Sequence, residues 1–126
     1  MNERQFKDRT RQIALRIIRL VDSLPKTRAG DVIARQLMRC ATSVGANYRA
    51  ACRAKSRKDM AAKLAIIEEE ADESLYWLEL IAESEMLPRT RLVPLINVMG
   101  EILAMIVASQ KTIRRSLAAS NRKSKI

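Results

Sequence analysis

Apolar residues recur every three or four positions along almost all of this 126-residue chain, and the pattern breaks at only three places. Such spacing belongs to amphipathic helices, each with one stripe to bury. Three glycines and three prolines leave few points where a helix can be interrupted. The apolar content is mainly Ala, Leu and Ile, with Phe6, Tyr48, Tyr76 and Trp77 as the only aromatics. That composition favours helix over sheet.

The spacing predicts a first helix from about Arg4 to Leu24, with Phe6, Ile13, Ile17, Leu20, Val21 and Leu24 inward. Pro25 closes it, because the residue before a proline is pushed out of helical geometry. A short link follows, with Asp31 as cap of a second helix from about Val32 to Arg53. Its stripe is Ile33, Leu37, Ala41, Val44, Tyr48 and Ala51. Ser56, three residues before Asp59, resembles a capping box and starts a third helix over about Arg57 to Glu85. Met60, Leu64, Ile67, Ala71, Leu75, Leu78 and Ile81 form its stripe. Pro88 marks the next boundary. A fourth helix from near Arg91 places Pro94 in its first turn, where a missing N–H costs little. Leu95, Met99, Ile102, Ile106, Ile113 and Leu117 then carry the stripe onward.

Four long helices with short links predict an all-α, antiparallel up-down-up-down four-helix bundle over residues 1–119. Residues 120–126 read as a basic, flexible tail. Ala62, Ile66, Trp77 and Leu80 lie outside the main stripe of the third helix, as Leu15 and Ile18 do on the first. Apolar surface of that width predicts a homo-oligomer.

Several function classes are disfavoured. No unbroken apolar run approaches the roughly 20 residues that span a bilayer, so no membrane role is expected. The N-terminus leads into an amphipathic segment, unlike a signal peptide. Cys40 and Cys52, twelve apart on one helix, would stand about 18 Å apart, beyond disulfide reach. They read as small buried side chains in a reducing, cytoplasmic setting. Without histidine or a paired-cysteine motif, no zinc site and no cofactor are expected. The third helix carries a run of carboxylates, and Glu69 with Glu73 is the one plausible acid–base or metal pair. The structural alternative is preferred: Arg35 and Arg39 face Glu69, Glu70 and Glu73 as ion pairs that fix register. The chain is therefore not expected to be an enzyme.

Gly45, inside the second helix, costs about 1 kcal/mol against alanine. Close packing, with Ala41, Ala46 and Ala50 beside it, would compensate. Ser43, Gly45, Asn47, Tyr48 and Trp77 are assigned to subunit or helix packing.

The formal net charge is +10. In the expected topology, the starts of the first and third helices share one end with the finishes of the second and fourth. That end holds fifteen basic residues against three acids, while the rest of the chain has nine basic against eleven acidic. Helix dipoles account for cations at helix finishes but oppose them at Arg4, Lys7, Arg57 and Lys58. The nucleic-acid-binding set is Arg4, Lys7, Arg11, Arg49, Arg53, Lys55, Arg57, Lys58, Arg114 and Arg115. Scarcity of aromatics argues against base stacking, so contacts should go to phosphates.

The run Gln36-Leu37-x-Arg39-x-x-x-Ser43-Val44-Gly45-Ala46-Asn47-Tyr48-Arg49-x-Ala51, followed by Glu69-Glu70-Ala71-Asp72-Glu73-Ser74-Leu75-Tyr76-Trp77-Leu78, resembles the four helix bundle, or 23S rRNA intervening-sequence, protein family. Ala54-x-Ser56 and Lys63-Leu64 extend the likeness over nearly the whole chain. It implies a ring-like homopentamer. It also implies kinship with the accessory variability proteins of diversity-generating retroelements, basic pentamers that bind nucleic acid and a reverse transcriptase. Ala50 departs from the pattern, standing where many relatives carry an acid. The leading expectation is a non-enzymatic adaptor that binds nucleic acid, structured RNA foremost. The alternative is a protein-interaction scaffold with no direct nucleic-acid role.

Overall fold

Asn2 opens the first helix: its side-chain oxygen accepts from the Gln5 N–H at 2.8 Å while Gln5 Oε1 accepts from the Asn2 N–H at 3.1 Å. This reciprocal box starts α1 (Glu3–Val21), the first of four helices in a computed structural model that describes residues 2–124. The others are α2 (Arg28–Ala51), α3 (Arg57–Glu83) and α4 (Arg89–Ser124). The described residues contain no strand. The fold is an all-α four-helix bundle.

Each helix packs on its neighbours in sequence, α1 also packs on α4, and the backbones of the two diagonal pairs stay farther apart among the described residues. Phe6 meets Tyr48 with ring centroids 4.4 Å apart, and Thr10 meets Gly45. Arg57 donates to the Ser116 hydroxyl and Gln110 Nε2 to Glu68 Oε2 at 3.3 Å. Arg9 pairs with Glu101, while Arg91 donates to Ser23 Oγ at 3.1 Å. In each of these three seams, residue numbers rise along one helix as they fall along its neighbour.

The apolar stripes meet in one core, with Ile17, Leu37, Val44, Ile67, Leu78, Leu92, Met99 and Ile102 fully enclosed. Of the predicted stripe residues, Ile33, Tyr48, Met60, Leu75 and Ile113 are only half-buried, packed on its margin, and Leu117 is half-buried beyond it. The sequence reading missed Thr10, Ser74 and Gln110, polar side chains that are buried. Thr10 and Ser74 return their hydroxyl protons to Lys7 and Glu70 carbonyls one turn back, which lets them enter the core.

Several boundaries differ from expectation. α1 ends at Val21, and Leu24 reaches the core through a looser turn. α2 begins before Val32 because Thr27, not Asp31, is its cap: Thr27 Oγ1 accepts from the Gly30 N–H at 3.0 Å. Asp31 instead sits in the first turn, where a carboxylate complements the helix dipole. Ser56 caps α3 as predicted, accepting from the Asp59 N–H at 3.0 Å, and Asp59 Oδ2 accepts in return from the Lys55 N–H at 3.1 Å.

At the end of α3, Glu85 takes a left-handed φ of 60°. Its N–H donates to Ala82, and the Met86 N–H donates back to Ile81, both at 3.2 Å. This is the double closure of a Schellman turn.

α4 starts at Arg89, so Pro94 lies beyond the first turn and removes the bond that Thr90 would accept. Both residues are exposed, which leaves that carbonyl to water. At 36 residues, α4 is about 54 Å long, against about 40 Å for the 27 residues of α3. Its helix passes Ala119, where the bundle was expected to end, and continues through Ser124. Level with Arg57 at Ser116, it overhangs α3 by about 12 Å.

The apolar span was also underestimated. Arg89–Lys123 contains an 18-residue stretch of mean hydropathy 2.0, long and apolar enough by length and composition to cross a membrane. Asn97 and Glu101 interrupt it, so a count of unbroken apolar runs passes it over. Its Leu92, Leu95, Met99, Ile102 and Ile106 are core residues of the bundle.

Candidate nucleic-acid interface

The start of α1, the finish of α2, the start of α3 and the later turns of α4 converge on one end. The contacts that bring them together are Phe6 with Tyr48, Glu3 with Cys52, and Arg57 with Ser116. Two of the cations there are matched locally: Lys7 pairs with Glu3 at 3.1 Å, and Arg9 with Glu101. Arg57 is held by Ser116, though still exposed. Arg4, Arg11, Arg49, Arg53, Lys55, Lys58, Lys111, Arg114 and Arg115 are exposed, and none joins an ion pair among the described residues. Arg122 and Lys123 ride on the overhang of α4. Lys125, also expected at this end, lies outside the described residues.

Two carboxylates are built into this end and held ionised. Hydrogen bonds from the Cys52 thiol and from Lys7 keep Glu3 below its ordinary range. Lys63, at 2.7 Å, and the Lys55 N–H do the same for Asp59. Both acids stand in first turns of helices, where their charge complements the dipole.

Between α1 and α2 runs an open groove of about 530 Å³. Lys7 and Arg11 stand on one wall and Arg49 on the other, with Asp8 also on its rim. Its floor is Thr10, Ala14, Thr42, Gly45 and Ala46. A shallower depression of about 270 Å³ shares Ala46 and Arg49 and continues to Ala50 and Arg53. Sequence reasoning placed the cations and Asp8 at this end and singled out Gly45 and Ala46, but missed Thr10, Ala14 and Thr42. Two helices some thirty residues apart must pair before these become one surface. The only advance signal was the clustering of small residues around Gly45.

The residues assigned to subunit or helix packing make the following contacts within the chain. A Cβ on Gly45 would stand 3.3 Å from Thr10 Oγ1 and 3.5 Å from Thr10 Cβ, so the missing side chain is what lets α1 lie this close. Ser43 Oγ donates to the Cys40 carbonyl at 2.9 Å, and Asn47 Nδ2 to the Ser43 carbonyl at 2.8 Å. Both bonds stay inside α2. Tyr48 stacks at a tilt on Phe6, and Trp77 is half-buried, its ring centroid 5.3 Å from that of Tyr76 in an edge-to-face arrangement. The indole N–H is enclosed without an acceptor among the described residues.

Of the expected ion pairs, Arg39 reaches both Glu70, at 3.3 Å, and Glu73. Arg35 instead borders a cleft with Asp22, Lys26 and Asp31 beside the link from α1 to α2. Glu69 lies on the other side of α3, with Glu68 and Asp72 beside Leu103 and Val107 of α4. One residue turns a helix by about 100°, which separates Glu69 from the face shared by Glu70 and Glu73. Below the Arg39 pair, Ser74 Oγ lies 3.2 Å from Cys40 Sγ. Both cysteines are free thiols. Cys40 is enclosed, and burial raises it to about 11. Cys52 is only half-buried, at the α2 cap rather than in the core.

The architecture and its surface define a small all-α protein with a strongly basic end. Residues 2–108 match the family of 23S rRNA-intervening sequence proteins, and the chain belongs to that family. It is similar to the crystal structure of a protein of unknown function from the S23 ribosomal protein family of Bacteroides thetaiotaomicron. The two share 36% identity and a TM-score of 0.79, over 84% of this chain and 98% of that one. No curated protein matches the chain.

Proposed function

We propose that this protein is a non-enzymatic, cytoplasmic adaptor that binds structured RNA through phosphate contacts at its basic end. The observation that carries this reading is the group of nine exposed cations, Arg4 to Arg115, that have no ion-pair partner among the described residues. Like charges gathered this way repel one another, and a polyanion relieves the repulsion while releasing its own counterions. The family description, which names a ribosomal RNA insertion, agrees with RNA as the polyanion. No metal, cofactor or membrane enters this reading, and α4 serves as a core helix. Binding to structured RNA and to DNA should weaken steeply with salt. Reversing Arg53, Lys55 and Arg57 to glutamate should abolish it. Absence of binding at low salt, or indifference to the reversal, would sink the proposal.

The bundle is up-down-up-down in this reading, in keeping with the opposed numbering across its seams, and assembles as a ring-like homopentamer. Leu15, Ile18, Val32, Ile66, Tyr76 and Val93 support assembly, as each is more than a third exposed. Light scattering on the purified protein tests it, and a monomeric mass would overturn it. The same apolar side chains favour a second reading, a scaffold for a protein such as a reverse transcriptase. Pull-down with Leu15 and Ile66 changed to glutamate separates that role from RNA binding.

A further inference from the structure

The geometry points to the α1–α2 groove as the seat of one sugar–phosphate ridge of a base-paired RNA segment, with Thr42 reading its ribose. This inference rests on the reading of the basic end as an RNA-binding surface, and narrows it to one place.

The cations stand on both walls, Lys7 and Arg11 from α1 and Arg49 from α2, over a floor of small side chains. A charged ridge can therefore enter between them and be neutralised from two sides. Residues Thr42 to Arg53 extend this line for about 16 Å of helix, a length of several nucleotides. No aromatic ring lines either depression, so there is no platform for unstacked bases. No side-chain amide lines them to read base edges. What fits is a strand whose bases are turned away into a helix.

The hydroxyl on the floor discriminates the sugar. Thr42 Oγ1 already donates its proton to the Met38 carbonyl at 2.6 Å, so toward the groove it can only accept. A phosphate oxygen has no proton to offer it, whereas a ribose 2′-hydroxyl does. Asp8 on the rim opposes the same ligand and limits its affinity.

The test is fluorescence anisotropy with a short RNA duplex, a DNA duplex of the same sequence and the single RNA strand, at several salt concentrations. Circular dichroism and light scattering monitor fold and mass. Ala46→Leu fills the groove without changing charge, from an exposed helical position. It should weaken binding of the RNA duplex by about tenfold or more. The pair Arg11→Ala and Arg49→Ala should lower the slope of log affinity against log salt by about 2. Asp8→Asn should tighten binding, and Thr42→Val should lower RNA affinity while leaving DNA unchanged. If wild type binds the duplex and all four variants bind it equally well, the groove assignment fails while the basic-end reading stands. If Ala46→Leu dissociates an oligomer without changing RNA affinity, the groove is a contact between copies and the assignment fails. If wild type binds no nucleic acid at low salt, both readings fail.

Discussion

Thr10 lies against Gly45, with its hydroxyl 3.3 Å from the point where a Cβ on that glycine would stand. The hydroxyl cannot easily move, because it donates to the Lys7 carbonyl at 3.0 Å and the side chain is buried. Alanine at 45 gains about 1 kcal/mol of helix propensity. Crowding against Thr10 should cancel that gain. With Thr10→Ala in place, Gly45→Ala should become stabilising, a coupling of about 0.5–1 kcal/mol in a double-mutant cycle read by urea denaturation. Additive effects would show that the contact does not limit the approach of the two helices.

The other two glycines should answer alanine in opposite directions. A Cβ on Gly30 would stand 2.1 Å from the Pro25 carbonyl oxygen, a backbone atom, whereas one on Gly100 meets nothing within 4 Å. Gly30→Ala should cost about 1–3 kcal/mol through forced backbone movement. Gly100→Ala should stabilise by about 0.5–1 kcal/mol. Thermal or urea unfolding of the two variants checks both signs at once. If assembly covers Gly100, its alanine variant will instead lower the oligomer mass.

Glu85 occupies a left-handed position that glycine adopts without a steric penalty. Glu85→Gly should therefore stabilise the chain by about 1 kcal/mol. Glu85→Ala should give no such gain, since it keeps the Cβ. Equal stabilities for the glycine and alanine variants would mean that the turn carries no strain.

Acid and alkali should destabilise the chain through different groups. Asp59 is held below its ordinary 3.8 by Lys63 and then by the Lys55 N–H. Its contribution is present above that value and is lost as pH falls through the lower folded value. Asp59→Asn should flatten the acid limb of a stability–pH curve. Burial raises Cys40 from 9.0 to about 11 and Tyr48 from 10.0 to about 12. Above pH 9.0 the unfolded chain loses those protons first, so stability should fall progressively toward about 12. Cys40→Ala should remove the earlier part of that fall, at a cost in packing. An unchanged alkaline limb would contradict the assignment.

Much of the architecture was legible because it rests on local rules. Ile13, Ile17, Leu37, Val44, Ile67 and Ile102 were inward by period alone, and all are buried. Ser56 was recognisable as a cap because its partner Asp59 is three residues away. Other details needed a neighbour from elsewhere in the chain. Thr27 and Asp31 are both competent caps, and the choice between them is tied to Gly30 fitting under the Pro25 carbonyl. Arg39 finds Glu70 and Glu73, while Arg35 and Glu69 turn elsewhere, because small rotations of a helix redirect long side chains.

The sequence by itself determined four helices and an excess of positive charge, since hydrophobic period and net charge are properties of the chain alone. Only the tertiary structure decided that part of this charge flanks a groove floored by Thr42, Gly45 and Ala46. A groove needs two helices held side by side. The approach of Thr10 to Gly45 holds them there, across a separation in sequence that local propensity cannot span.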